Sequence, residues 1–141
     1  MAQMTNEQAL AFIAAKPRTA KLAIIKQDGS PQVVPIWIAV DGEQIVFNTG
    51  PDTAKGKALR RDPRVSLCVD DDTPPFAFVT INGTVELITD LDEVTKWAAI
   101  LGGRYMGEDR AEEFGRRNSA EGEYLVRLTP TRIIGVSGLA D

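Results

Sequence analysis

The feature that most constrains this chain is a pair of Asp-Gly dipeptides, Asp28-Gly29 and Asp41-Gly42. They separate the runs "KLAIIKQ", "PQVVPIWIAV" and "EQIVFNT". Asp-Gly between alternating apolar runs is a strong hairpin signal, because both residues tolerate the positive φ of tight turns whose twist matches paired strands. Residues 20 to 49 therefore predict a three-stranded antiparallel meander. Pro31 and Pro35 have no amide to give a ladder, so they fit only a strand start, an edge or a bulge. Pro35 further predicts an irregular stretch with backbone groups free of a neighbouring strand.

The remaining elements follow from caps and period. Thr5 and Gln8 have capping-box spacing, Leu10, Phe12 and Ile13 give an apolar face, and Lys16-Pro17 ends the helix. Thr53 to Arg61 reads as a short helix ended by Asp62-Pro63. "RVSLCVDD" and "FAFVTINGTVELI" read as strands. Asn82-Gly83 within the second is a hairpin turn or a bulge, and its long continuous flanks favour the bulge. Residues 91 to 117 read as helical, with a break expected at Gly102-Gly103, and "EYLVRLTPTRIIGVSG" as a strand bent at Pro130. The sum is one α+β, mainly β domain over residues 1 to 141: five or six antiparallel strands in a closed or nearly closed barrel, with short helices. "VSLCV" and "FAFVTI" are apolar on both faces, more than one small barrel can bury. A homodimer with an interface of roughly 2,000 Å² or more is expected.

Composition narrows the chemistry. The net charge of −4 argues against a general nucleic-acid binder. The chain has no histidine and one cysteine, Cys68, which reads as a small buried residue. His-based triads and His-bearing zinc sites are thereby excluded, as is an internal disulfide. No run approaches 18 apolar residues and no secretory signal pattern is visible, so a cytoplasmic setting without membrane contact is expected.

Against this acidic background, Lys55, Lys57, Arg60, Arg61 and Arg64 crowd into one segment with a single acid, Asp62. "GPDTAKGKA" is not a P-loop, because five residues separate Gly50 from Gly56 and Ala58 stands where Ser or Thr would hold magnesium. Nor is there a dinucleotide-binding GxGxxG. The physics still points to a small anion. Free N–H groups gather at Thr53, Ala54 and Lys55, and the helix dipole adds positive potential there. Lys55 and Lys57 can bracket a phosphate. Arg60 and Arg61 lie one turn on, where they suit the helix C-terminus.

The strand pair with "DG" and "PQ", the following "NT", and above all "KALRRDPRVSL" (Lys57 to Leu67) resemble the pyridoxamine-phosphate-oxidase-like split β-barrel flavoproteins. They are similar in particular to the branch that uses the deazaflavin coenzyme F420. The resemblance spans Thr19 to Glu86, more weakly the last strand. It implies a homodimer with two cofactors at the subunit interface and a small-molecule substrate. It implies that Gln32, Val34, Pro35, Ile36 and Trp37 lie along the tricyclic ring, with Asn48 and Thr49 near the ribityl chain. Thr53, Ala54, Lys55, Lys57 and Ala58 would surround the phosphate. Arg60 and Arg61 are either dipole partners or reach the acidic tail of a deazaflavin. Trp37 is either a ring contact or a packing aromatic; Trp97 and Tyr105 read as packing. The C-terminal Arg- and Trp-bearing segment that grips the vitamin phosphate in pyridoxamine-phosphate oxidases has no counterpart in "IIGVSGLAD".

A chain without histidine or an evident catalytic dyad fits an enzyme whose cofactor carries the hydride. The expectation is an F420-dependent reductase of small electron-poor substrates. FMN in the same fold is the alternative, as is a cofactor-binding dimer without turnover. No catalytic side chain and no metal ligand can be assigned.

Overall fold

The computed structural model describes residues 1–141 apart from Glu121. Eight strands form one antiparallel sheet: β1 (Ala2–Gln3), β2 (Ala20–Ile25), β3 (Pro31–Ile36), β4 (Ala39–Asp41), β5 (Gln44–Thr49), β6 (Arg64–Asp71), β7 (Ala77–Ile88) and β8 (Tyr124–Ser137). Their order is β3-β2-β6-β7-β8-β5-β4, with β1 against the far end of β8. Four α-helices accompany them: α1 (Asn6–Ala15), α2 (Ala54–Arg61), α3 (Leu91–Met106) and α4 (Ala111–Arg117).

The predicted capping box is present, and Thr53, read as the first helical residue, is instead the cap of α2. Thr5 and Gln8 make the reciprocal capping box of α1, and Lys16 leaves the helix extended before Pro17. Thr53 caps α2 by accepting from the Gly56 amide. The hairpin at Asp28-Gly29 joins β2 to β3, and that at Asp41-Gly42 joins β4 to β5.

The meander itself needs correction. "PQVVPIWIAV" is two strands, not one. β3 stops at Ile36, and β4 starts at Ala39 at the opposite edge of the sheet. Two hairpins thus occupy the two ends of the sheet order, and the chain crossing at Trp37-Ile38 closes the barrel between them. Pro35 is still in register, opposite Lys21, and β3 is an edge strand, which explains how two prolines are tolerated. The irregularity expected at Pro35 lies two residues later.

Two further expectations change. The break placed at Gly102-Gly103 does not occur; α3 runs through both and ends at Gly107, whose φ of 110° no L side chain adopts comfortably. The two glycines serve packing instead. A Cβ on Gly102 would collide with the Phe114 side chain, and one on Gly103 would meet the Glu108 carboxylate at 2.8 Å. Cys68 is half-exposed on the outer face of β6 and not buried.

The bulge reading of Asn82-Gly83 holds. β7 is continuous from Ala77 to Ile88, and its register against β8 jumps from Asn82↔Arg132 to Gly83↔Pro130. The extra residue is Thr131 of β8, whose hydroxyl donates to the Asn82 carbonyl.

Strand alternation sorts the interior into two cores. Ile45 and Phe47 of β5 and Val126 and Leu128 of β8 point into the barrel, with Leu22, Ile24, Leu67 and Ile81, and α1 adds Ala9 and Ile13. Val46 and Leu125 point outward. They are covered by Val94, Trp97 and Leu101 of α3, which makes the second core. Trp97 and Tyr105 are packing residues, as expected.

Candidate functional site

Residues two apart on a strand share a face. Asn48 therefore continues the outward row that begins with Val46, toward the end of the helical cover. There the chain forms an open recess of about 260 Å³, lined by Pro35, Ile36, Trp37, Asn48, Lys55, Leu101 and Asn118. Five elements meet: the end of β3 with the crossing, β5, the first turn of α2, α3, and the residue that caps α4.

The wall is held rigidly. The Tyr105 hydroxyl accepts from the Ile38 amide at 3.0 Å and donates to the Arg18 carbonyl at 2.7 Å, so one side chain ties the crossing to the segment that leads into β2. Its ring stacks on Trp37 with centroids 5.2 Å apart and planes 4° from parallel. Phe114 meets Trp37 edge-on at 5.6 Å. Trp37 thus serves as packing aromatic and as recess wall at once.

Two polar groups give the recess its character. The Asn48 Nδ2 is buried and has no hydrogen-bond partner among the described residues. Such a donor carries a desolvation penalty of about 1–3 kcal/mol. Lys55 is half-buried; burial holds its ammonium below the usual 10.5, with the Glu123 carboxylate pulling the other way. Beside it, the Thr53 hydroxyl takes the Gly56 amide at 2.9 Å. The amides of Ala54 and Lys55, in the first turn of α2, have no acceptor within the helix. The loop from Gly50 lies so close that a Cβ on Gly56 would collide with the Gly50 carbonyl.

Of the fourteen residues put forward from the sequence, the recess gathers Pro35, Ile36, Trp37, Asn48 and Lys55. Thr49 is buried beneath them, its hydroxyl 3.3 Å from that of Thr53. Ala54 is exposed on the first turn of α2, while Ala58 faces the barrel core. Gln32 is exposed on β3 and Val34 packs against the barrel core; neither lines the recess.

The crowded cations separate by role. Arg64 forms an ion pair with Asp62 at 2.8 Å, which brings the Asp62 carboxyl down to about 2. Arg60 reaches the Tyr124 hydroxyl at 3.4 Å in the last turn of α2. Lys57 and Arg61 are exposed outside the recess, so Lys55 alone enters it.

Leu101 and Asn118 were not foreseen. Leu101 reads in the sequence as an ordinary core position of α3. Asn118 shows only as a residue after Arg116-Arg117, with nothing in its spacing to send it to β5.

A larger groove of about 640 Å³ lies between the first turn of α1, the β4–β5 turn and the bend of β8. Its charged residues, Glu7, Glu43 and Arg132, are exposed and of both signs. It holds no buried unpaired donor, and its size alone does not outrank the chemistry of the smaller recess.

The smaller recess fits a planar heteroaromatic anion. Aromatic, prolyl and aliphatic surfaces offer flat contact, Asn48 offers a neutral donor, and Lys55 with the helix start offers positive potential. Its volume falls below the range of about 300–1,000 Å³ usual for complete ligand pockets, and its open side suits a site completed by another surface. Among the described residues Lys55 is its only ionisable lining residue. Among the described residues no cluster of three His, Cys, Asp or Glu could hold a metal, and no helix is long and apolar enough to cross a membrane.

Comparison with solved structures gives the same architecture. A conserved hypothetical protein of Mycobacterium tuberculosis is 27% identical, with a TM-score of 0.80 over 92% of this chain and 82% of that one. An F420 reductase is 26% identical, with a TM-score of 0.69 over 87% of this chain and 94% of that one. An FAD-binding protein of Mesorhizobium loti is 19% identical, with a TM-score of 0.70 over 95% of each chain, and shares the fold. The family described as pyridoxamine 5'-phosphate oxidase matches residues 5–137, nearly the whole barrel with its helical insert. By that match this chain belongs to the pyridoxamine 5'-phosphate oxidase family and carries its split β-barrel.

Proposed function

We propose that this chain is a coenzyme F420-dependent oxidoreductase that reduces a small electron-poor organic substrate, acting as a homodimer with the deazaflavin at the subunit interface. The observation that carries the reading is the convergence of Lys55, Asn48 and the Pro35–Trp37 wall on one recess. The similarity to an F420 reductase supports the choice of cofactor. When bound, that cofactor supplies the hydride. The chain supplies the rest. Trp37 and Pro35 hold a flat ring, and Leu101 excludes water. Lys55, the Ala54 and Lys55 amides and the α2 dipole hold a phosphate, with Thr49 and Thr53 shaping the turn beneath it. Lys57, Arg60 and Arg61 are exposed elsewhere on α2, from which they would attract a polyanionic tail weakly and with salt dependence.

The dimer is supported by one face of the sheet. On β3, β2, β6, β7 and β8, Val33, Ala23, Cys68, Phe78 and Ile134 point outward, interspersed with Lys21, Ser66, Thr80 and Asn82 on the same face, and Val33 is 62% exposed. An exposed Val33 beside half-buried apolar groups suits a face covered by a second copy. Pro35 is exposed on the same edge and also lines the recess, so a second copy on this face would lie beside the recess.

The test is titration with F420 and FMN at several salt concentrations. F420 should bind more tightly at low salt, with the gap closing as salt rises. Lys55→Ala should weaken both about 10- to 100-fold. Tighter FMN binding at every salt concentration, with turnover only in its presence, would assign the site to FMN. Parent-like binding of both cofactors by the Lys55→Ala/Lys57→Ala double variant would refute the phosphate assignment.

A further inference from the structure

We infer that the recess reads an uncharged hydrogen-bonding edge of its ligand through two amides, Asn48 from the sheet and Asn118 from the helical insert, separately from the anion held by Lys55. The inference rests on the cofactor reading above and adds the residues that select the ring.

Three observations carry it. First, Asn48 is placed at a cost. A buried primary amide whose Nδ2 meets no acceptor destabilises the free protein, and an apolar residue of similar size would not. The deficit is explained if an acceptor arrives with the ligand. Second, the neighbouring charge is engaged differently. An ammonium selects anions, whereas a neutral amide donor also serves acceptors that carry no charge, such as a carbonyl, hydroxyl or ring nitrogen. Third, the helical insert is built to bring Asn118 to the same place. Gly115 lets α4 approach so closely that its added Cβ would lie 3.1 Å from that of Ala99 on α3. The Asn118 amide N–H then caps α4 on the Phe114 carbonyl at 2.9 Å, and Phe114 is itself wedged against Trp37. The position of Asn118 is thus coupled to the aromatic wall.

A ligand lying on Trp37 would meet amides from two different elements. Amides donate and accept, so they can read a ring edge that alternates acceptor and donor, as in a fused pyrimidinedione. A plain aromatic would gain nothing from them. Discrimination of this kind is steep, because the wrong ligand leaves buried polar groups unpaired.

The test uses the full chain and two pairs of probes. Each pair comprises a cofactor and its phosphate-free ring-and-ribityl fragment: FMN with riboflavin, and F420 with its dephosphorylated tailless fragment. Binding is read by quenching of tryptophan emission, and ligand-free stability by thermal unfolding. Asn48→Leu should raise the unfolding temperature of the free protein and weaken a cofactor and its fragment by the same factor, about 10- to 100-fold. Asn118→Ala, at a half-buried position, should leave unfolding unchanged and weaken both members of the pair about 3- to 10-fold. Lys55→Ala should weaken the phosphorylated member selectively. A parent that binds with variants that bind equally well overturns this inference alone. Loss of stability in Asn48→Leu without loss of affinity does the same, by making Asn48 a structural residue. A parent that binds none of the four probes overturns the cofactor reading and this inference with it.

Discussion

Tyr105→Phe isolates one hydroxyl on which the geometry of the crossing depends. The substitution keeps the ring and its stack on Trp37. It removes the acceptor of the Ile38 amide and the donor to the Arg18 carbonyl. Ile38 is fully buried, so water has no ready route to the orphaned amide. Two ordinary hydrogen bonds are worth about 1 kcal/mol each, and a buried unpaired amide carries about 1–3 kcal/mol of its own. The expected loss is about 3–5 kcal/mol, which for a chain of this size lowers the unfolding temperature by roughly 10–20 °C. Urea unfolding should show the shift in midpoint with an unchanged slope, since the surface exposed on unfolding is the same. Tyr124→Phe is the control, because among the described residues that hydroxyl meets only Arg60, at 3.4 Å and exposed. Its cost should stay within about 0.5 kcal/mol. A Tyr105→Phe variant as stable as the control would refute the claim that this hydroxyl holds the crossing.

Arg104→Ala should cost about 2–4 kcal/mol in chemical denaturation, because its guanidinium donates to the Ile13, Ala14 and Lys16 carbonyls at 2.7–2.9 Å and α1 has no basic residue in its own last turn. Loss below about 1 kcal/mol would mean that water replaces it freely. Gly102→Ala should destabilise despite alanine's better helix propensity, by about 1–3 kcal/mol, because the added methyl collides with Phe114; a stabilised variant would show that α4 can move away. Stability of the ligand-free protein should rise with pH in the interval just below 10.5, where burial keeps Lys55 less protonated in the folded than in the unfolded chain. Phosphate-bearing ligands should bind less well across the same interval, and Lys55→Arg should abolish both trends.

The legible parts of this fold are those set by local chemistry. The capping box, the two Asp-Gly turns, the α2 helix and the proline stops act over a few residues, and each was found where the sequence put it, to within a residue. What was not legible depended on distant partners. "PQVVPIWIAV" satisfies strand preferences throughout. Its division at Trp37-Ile38 is tied to Tyr105, far away in sequence. Gly102-Gly103 carries the composition of a helix break, yet Phe114 and Glu108 turn the pair into a packing surface. The site divides the same way. Lys55 follows from a helix start and Asn48 from a strand end, but Leu101 and Asn118 reach the recess only through the docking of the insert on β5.

The place of β8 in the sheet bears on how the chain is made. β5 pairs with β8 along Ile45–Thr49, and β7 pairs with it along its whole length. β8 is also the last strand in chain order. On the ribosome, β5 is complete while everything from Thr49 to Tyr124 is still to be synthesised, and at about 5–20 residues per second it waits several seconds for its partner. During that interval Ile45 and Phe47 have no barrel to enter, and the β5 edge is open to other nascent chains. The barrel therefore closes only after β8 is made, a step of high contact order, slow by topology and exposed to chaperones until β8 docks.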